Sequence, residues 1–246
     1  MNLRVLSYNI HRAIGVDRRF RPDRIARVIA HHDPDLALLQ EVDEGVPRSR
    51  ELDLARELAE RLGYPHLAVG HNVSLRRGRY GNATLSRFPI VRERNIDLSI
   101  RTRKRRGCQH TRIELGPGLG VLEAFNLHLG LSAQERRRQL GVLLRSKEMR
   151  RVAAATPCVV GGDFNDWRSL LRRVMLGAGF DSATERGRFP AVRTYPSFSP
   201  QGGLDRVYYR GALRLVAARR CRLNLSRVAS DHLPVLADFE LGEPIV

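Results

Sequence analysis

The sequence predicts an α/β sandwich in four αββα layers: two mixed β-sheets face to face, each covered on its outer side by helices. Three observations predict it. Short β-like runs alternate with helical ones from end to end. The count, about ten strands and four helices, fits two sheets backed by helices. No linker, repeat or low-complexity tract interrupts the 246 residues, so a single domain over residues 1–246 is expected.

Leu3–Ile10 alternates apolar and polar residues and reads as a strand. Pro22–His32 carries Ile25, Val28 and Ile29 at helical spacing, with Pro22 suited to a first helical turn. Leu36–Gln40 is a short apolar run, hence a buried strand. Glu51–Leu62 repeats Leu54, Leu58 and Leu62 on one helical face and stops at Gly63. Asn82–Ser86 and Ile90–Leu98 read as strands around a turn at Phe88-Pro89, and Cys108–Leu115 with Leu119–Leu127 as a hairpin across Gly116-Pro117-Gly118. Ser132-Ala133-Gln134-Glu135 is a capping box that opens a long helix containing Leu140, Leu143 and Leu144. Pro157–Gly162 is strand-like and Trp167–Leu176 a short helix, in which Trp167 is expected to pack. Asp205–Arg210, Leu213–Cys221 and Pro234–Leu241 complete the strands.

Composition narrows the class. Apolar residues make up 42% and charged residues 28%, as in ordinary globular proteins. No stretch approaches the roughly 20 apolar residues of a membrane helix. The start, Met1 to Tyr8, lacks the apolar core of a signal peptide, so a cytoplasmic, bacterial protein is expected. Cys108, Cys158 and Cys221 form no close pair and read as reduced, partly buried thiols. The net charge of +17 comes almost wholly from Arg, with Lys only at 104 and 147. Arg forks suit phosphate, and a positive field attracts nucleic acid or anionic headgroups. A GC-rich genome that favours Arg codons explains the same composition equally well. The run Arg101-Thr102-Arg103-Lys104-Arg105-Arg106 is either a solvated loop or a phosphate-contacting one.

Polar residues fall at strand ends. Asn9 and His11 close the first strand, Gln40 and Glu41 the second, Asn126 and His128 another, and Asp163 and Asn165 the strand Val159–Gly162. Asn82 and Asp205 start strands, and Asp231 and His232 precede the last. If neighbouring strands end together, these side chains converge on one crevice. Carboxylate and amide oxygens there suit a hard cation such as Mg²⁺, and no His/Cys cluster has zinc spacing.

Seven segments occur in order: Ser7-Tyr8-Asn9-Ile10-His11, Leu39-Gln40-Glu41-Val42, Gly81–Ser86, Asn126-Leu127-His128-Leu129, Gly162-Asp163-Phe164-Asn165-Asp166, Leu204–Tyr208 and Ser230–Pro234. The chain therefore resembles the endonuclease/exonuclease/phosphatase family, which includes deoxyribonuclease I, abasic-site endonucleases, inositol phosphatases and bacterial sphingomyelinases. The resemblance runs from about Leu3 to Phe239. It is strongest to small bacterial members with Arg-Gly near 106, His-Leu-Gly at 128 and Gly-Asp-Phe-Asn-Asp-Trp at 162.

The resemblance implies a deoxyribonuclease I-like fold and a metal-dependent phosphoester hydrolase. Glu41 would be the main carboxylate ligand of Mg²⁺ or Mn²⁺, with Asn9 and Asp231 completing or flanking the shell. Asp163 would orient and deprotonate the attacking water, and Asn165 would bond a phosphate oxygen. His232 would contact the scissile phosphate, its tautomer fixed by Asp205. His128 would serve the leaving-group side or a non-bridging oxygen, and Asn82 would line the pocket. Arg12, Arg112 and Arg168 stand beside motif residues, in place to contact phosphate or to be structural; Tyr195 and Phe198, in the Pro-rich segment 194–200, read as pocket rim. The expected substrate is nucleic acid, cut by a monomer. A phospholipid or its headgroup is the alternative, and a non-catalytic nucleic-acid or membrane-binding module the contrasting reading.

Overall fold

A computed structural model describes residues 1–185 and 192–242. One sheet is built from β1 (Asn2–Asn9), β2 (Leu36–Glu44), β3 (His66–Ser74), β4 (Arg79–Ser86), β11 (Leu213–Arg220) and β12 (Val235–Leu241), in the order β11-β12-β1-β2-β4-β3. The other contains β5 (Ile90–Asp97), β6 (Gly107–Glu114), β7 (Val121–His128), β8 (Cys158–Asp163), β9 (Asp181–Ser182) and β10 (Asp205–Arg210), in the order β5-β6-β7-β8-β10-β9. Only β1·β2 and β7·β8 pair in parallel, at the centre of each sheet; the other pairs are antiparallel. Both sheets are therefore mixed.

Three apolar layers hold the four structural ones together. Helices α1 (Pro22–His32) and α2 (Leu54–Leu62) place Ile25, Val28, Ile29, Leu54 and Leu58 against Leu6, Tyr8 and Leu39 of the first sheet. Helices α3 (Ala133–Arg145), α4 (Lys147–Arg150) and α5 (Arg172–Gly177) place Leu140, Leu143, Met149 and Met175 against Phe125, Val160 and Tyr208 of the second. The short helix α6 is Ser226–Ala229. Between the sheets, Leu3, Val5 and Leu38 meet Ile113, Leu122, Val159 and Val207.

Strand alternation then decides what reaches the mouth of the inner layer. On β1 the inward positions run Leu3, Val5, Ser7, Asn9; on β7 they run Leu122, Ala124, Asn126, His128; on β8 they are Val159, Gly161 and Asp163. One end of the inner layer is thus apolar and the other polar. At the transition Asn126 is fully buried: its Nδ2 donates to the Leu39 carbonyl at 3.0 Å and the Ala83 carbonyl at 2.9 Å, and its Oδ1 accepts from Gln40 Nε2 at 2.8 Å. These bonds clasp one sheet to the other.

Several expectations are corrected. The helix expected from Trp167 begins at Arg172, because the Asp166 carboxylate accepts from Leu171 N at 2.7 Å and holds the preceding residues in a tied loop. Helix α2 begins at Leu54 rather than Glu51, since the Asp53 side chain caps it by accepting from Arg56 N. Strand β3 was not expected: it is an edge strand with Gly70 and mostly half-buried residues, so it lacks a clean alternation. The two-residue β9 is too short to leave a pattern. The capping box forms only in half. Ser132 Oγ accepts from Glu135 N at 3.2 Å, while the Glu135 carboxylate accepts from Gln139 instead.

Candidate active site

The crevice lies where three neighbouring strands of each sheet end together. In the second sheet His128 faces Asp163 across β7·β8, and Asp163 faces Asp205 across β8·β10. In the first, Asn9 pairs with Gln40 across β1·β2, and the segment Ser230–His232 leads into β12 beside β1. Glu41 arrives by an irregularity. The β2·β4 register shifts between Gln40 and Val42, and Glu41 sits there at φ +58°. Gln40 faces the inner layer and Val42 the outer core, so regular alternation cannot direct Glu41; the bulge does.

Asp163 is the hub and is almost fully buried. Its Oδ2 accepts from Asn9 Nδ2 at 3.1 Å and lies 3.4 Å from His128 Nε2 and 3.7 Å from His232 Nε2. Its Oδ1 accepts from Asn165 N at 2.9 Å, with Asn165 held at φ +51°. Beyond His232, Nδ1 lies 2.8 Å from Asp205 Oδ2, and Thr194 Oγ1 donates to that same carboxylate oxygen. Beyond His128, Nδ1 lies 4.0 Å from Glu41 Oε1. Glu41 Oε2 lies 3.3 Å from Arg12 Nε, yet both atoms are buried and neither makes an aligned hydrogen bond.

The two histidines are driven to opposite protonation states. Burial pushes His128 well below its ordinary value, and the positive charges of Arg106, His232, Lys104 and Arg12 push the same way. For His232 burial also disfavours the cation, but the Asp205 and Asp163 carboxylates and the hydrogen bond that His232 donates to Asp205 outweigh it and lift the pKa to about 10. His128 is thus neutral and His232 cationic at neutral pH. Burial raises the Asp163 carboxyl above the usual range, with His232 opposing and Asp205 adding to the rise.

Two places invite a metal. Asp163, Asp205 and His232 offer ligand atoms within 4.8 Å of one another. In that trio the imidazolium carries the proton a ligand must shed and pairs with both carboxylates, which leaves Asp205 Oδ1 as a buried oxygen without a hydrogen-bond donor. Glu41 is the better seat, because its Oε2 is likewise a buried carboxylate oxygen with no hydrogen-bond donor, and the imidazole nearest Glu41, His128, is neutral. Oxygen donors there fit a hard divalent cation. Asn9 Oδ1 accepts from His11 N, and Asp231 Oδ1 lies 3.8 Å from His11 Nδ1.

Not every expected site residue reaches the crevice. Arg112 does not: on β6 the inward positions are Gln109, Thr111 and Ile113, so Arg112 points outward, where its Nη1 lies 2.7 Å from Glu123 Oε1. Asn82 is buried beneath the crevice and spends Nδ2 on the carbonyls of Asn126 and Gly107, so it joins the sheets rather than lining a pocket. Asn165 Nδ2 donates to the Leu129 carbonyl at 2.9 Å, which ties the loops after β7 and β8 together. The basic run is split. Residues 101–105 are exposed, but Arg106 is buried and its charge, with that of Lys104, acts on His128. Sequence reasoning missed Thr194 as the second support of Asp205, because a lone Thr eleven residues before its partner carries no signal. Tyr195 does form the rim, its ring centroid 4.9 Å from that of His232.

A buried carboxylate at the end of the central strands, flanked by one neutral and one cationic histidine and by a Glu oxygen without a donor, makes up the candidate site. The chain belongs to the endonuclease/exonuclease/phosphatase family, whose model matches residues 6–232. An uncharacterized protein, YbhP, of Escherichia coli K12 is 30% identical over 98% of this chain and 97% of its own. A crystal structure of an endonuclease/exonuclease/phosphatase from Beutenbergia cavernae is 26% identical with TM-score 0.84, covering all of this chain and 73% of that one. D. rerio TDP2, solved with a single-strand DNA product, is 18% identical with TM-score 0.73, covering 97% and 99%. The fold is thus that of a family of hydrolases acting on phosphoester bonds.

Proposed function

We propose that the protein is a divalent-metal-dependent phosphodiesterase that cuts nucleic-acid strands. The observation that carries the hydrolytic reading is the opposed pair of histidines on either side of buried Asp163. Groups whose environments drive their protonation apart are suited to different roles in proton transfer and charge stabilisation. Glu41, flanked by Asn9 and Asp231, would hold Mg²⁺ or Mn²⁺, which neutralises charge developing on phosphate and leaving oxygen.

The remaining chemistry belongs to the chain. His232, kept cationic by Asp205, donates to a non-bridging phosphate oxygen and stabilises the extra charge of the transition state. Asp163, fixed by Asn9 and the Asn165 amide, accepts a proton from the attacking water. His128, neutral, hydrogen-bonds a phosphate oxygen on the Glu41 side. The charge of +17 supports a polyanionic substrate, and the likeness to a DNA-processing neighbour supports a strand.

The test is hydrolysis of a panel with Mg²⁺, Mn²⁺ or EDTA: single-stranded DNA, plasmid, abasic duplex, RNA, anionic phospholipid, a phosphomonoester and bis(p-nitrophenyl) phosphate. Strand cleavage lost in EDTA and lowered at least a hundredfold in Glu41→Ala and His232→Ala is expected. Turnover only on lipid or monoester would overturn the substrate. Salt-sensitive DNA binding without turnover of any substrate would leave a binding module.

A further inference from the structure

We infer that Trp167 is the stacking platform for a nucleobase of the strand being cut, at the end of an aromatic ladder that starts on His232. This rests on the nucleic-acid reading above. The Tyr195 ring packs on His232 at 4.9 Å, and the Trp167 ring meets Tyr195 edge to face at 5.7 Å. Trp167 is 54% exposed and Phe198, on the Tyr195 loop, 65%. Among the described residues these are the two exposed Trp or Phe side chains; Trp167 reaches the crevice through Tyr195, and Phe198 follows Tyr195 by three residues.

The indole is held in place rather than merely left outside. Its neighbour Asp166 is fixed three ways: Oδ2 accepts from Leu171 N, Oδ1 lies 3.5 Å from Arg136 Nη2, and the carbonyl accepts from Arg206 Nη2. Arg136 and Arg206 are themselves buried, Arg206 against Glu185 at 2.6 Å. Below the ring is Gly202, where a Cβ would meet Trp167 Cζ3 at 2.7 Å. The six-membered ring of the indole therefore lies directly against the backbone at Gly202. An exposed apolar ring on so rigid a mount loses little freedom when another ring covers it.

The ground beyond Trp167 suits a backbone of phosphates. A groove lined by Arg137, Arg168 and Arg173, with Ala133, Gln134 and Leu170, runs between the start of α3 and residues 168–174. These three arginines are exposed, and none is ion-paired among the described residues. An aromatic platform followed by free cations is how sequence-tolerant single-strand sites are built. Exposed Leu131 and Leu170 would instead serve insertion into a lipid surface, which the experiment distinguishes.

Trp167 is the chain's single tryptophan, so intrinsic emission reports on this residue alone. In EDTA and about 150 mM salt, a fluorescein-labelled octathymidylate is titrated, its anisotropy giving the affinity; the unlabelled strand is titrated in parallel, with emission read at each step. Strong quenching tracking the binding curve is expected. Trp167→Ala should weaken binding about five- to 150-fold, the range for one stacked base, and Trp167→Phe should restore most of it. On an abasic strand of the same length the loss should shrink, which a merely structural role for Trp167 would not produce. Binding without quenching, or an equal loss on the abasic strand, overturns the platform while cleavage still upholds the proposed reaction. Quenching without cleavage in Mg²⁺ or Mn²⁺ does the reverse. A blue shift with phosphatidylglycerol vesicles and none of this response to the strand overturns the platform in favour of a membrane surface.

Discussion

At the scale of single residues, Asp205 decides what His232 can do. Its carboxylate is the largest influence favouring the imidazolium, at 2.8 Å, and it acts against the penalty of burial. In the metal-free protein His232 should therefore titrate near pH 10 by NMR, and Asp205→Asn should bring it down to or below the ordinary value of about 6.5. The sign for stability follows from a folded pKa above the unfolded one. The His232 contribution is complete below about pH 6.5 and is lost as pH rises toward 10. Chemical denaturation of metal-free His232→Gln should show a flatter loss of stability across that interval; an unchanged profile would refute the assignment. Glu41 has a different signature. If its bare buried oxygen seats the cation, Glu41→Ala should abolish the rise in melting temperature that Mn²⁺ gives the wild type, whatever the substrate.

At the scale of elements, the site depends on where regular strands stop being regular. Gly162 has φ +145°, and a Cβ there would meet the Leu127 carbonyl at 1.9 Å, so β7 and β8 approach closely just before Asp163. Gly162→Ala should cost about 2 kcal/mol or more by strain and displace Asp163, read as a lower denaturation midpoint together with lower kcat. The clasp at Asn126 is a second element-level device. Asn126→Ala takes one acceptor from Gln40 Nε2, which keeps the Leu38 carbonyl, and the side-chain donor from two buried carbonyls, a loss of about 2 kcal/mol in urea unfolding. Much of this level was legible in the sequence. Asn9, His128 and Asp163 continue the parity of Val5, Ala124 and Val159, and the same parity sends Arg112 outward, beside Ile113 facing in. Glu41 was legible only through its motif, because a bulge breaks the parity that would have located it. Trp167 looked like a helical packing residue; the Asp166 carboxylate that denies it a helix by bonding Leu171 N is itself held by Arg136, and the Asp166 carbonyl by Arg206, both on other elements.

At the scale of the whole molecule, charge governs encounter with substrate. The chain carries an excess of +17, and the groove beyond Trp167 carries Arg137, Arg168 and Arg173. If three phosphates of a single strand are met there, kcat/KM for an oligonucleotide should fall about 20-fold between 50 and 200 mM salt. Hydrolysis of bis(p-nitrophenyl) phosphate, with one charge, should fall far less, and parallel slopes for the two would remove the groove from the binding path. By itself the sequence determined the layered α/β class, most strand positions, the family and the ordered set of polar residues at strand ends, because alternation, caps and motifs are local and survive in one dimension. Only the tertiary structure decided which of those residues meet. Asn9, Glu41, His128, Asp163, Asp205 and His232 come from distant segments, and their distances depend on strand register, one bulge and the packing of two sheets. It also decided their protonation, since burial and neighbouring charge, not residue type, make one histidine neutral and the other a cation.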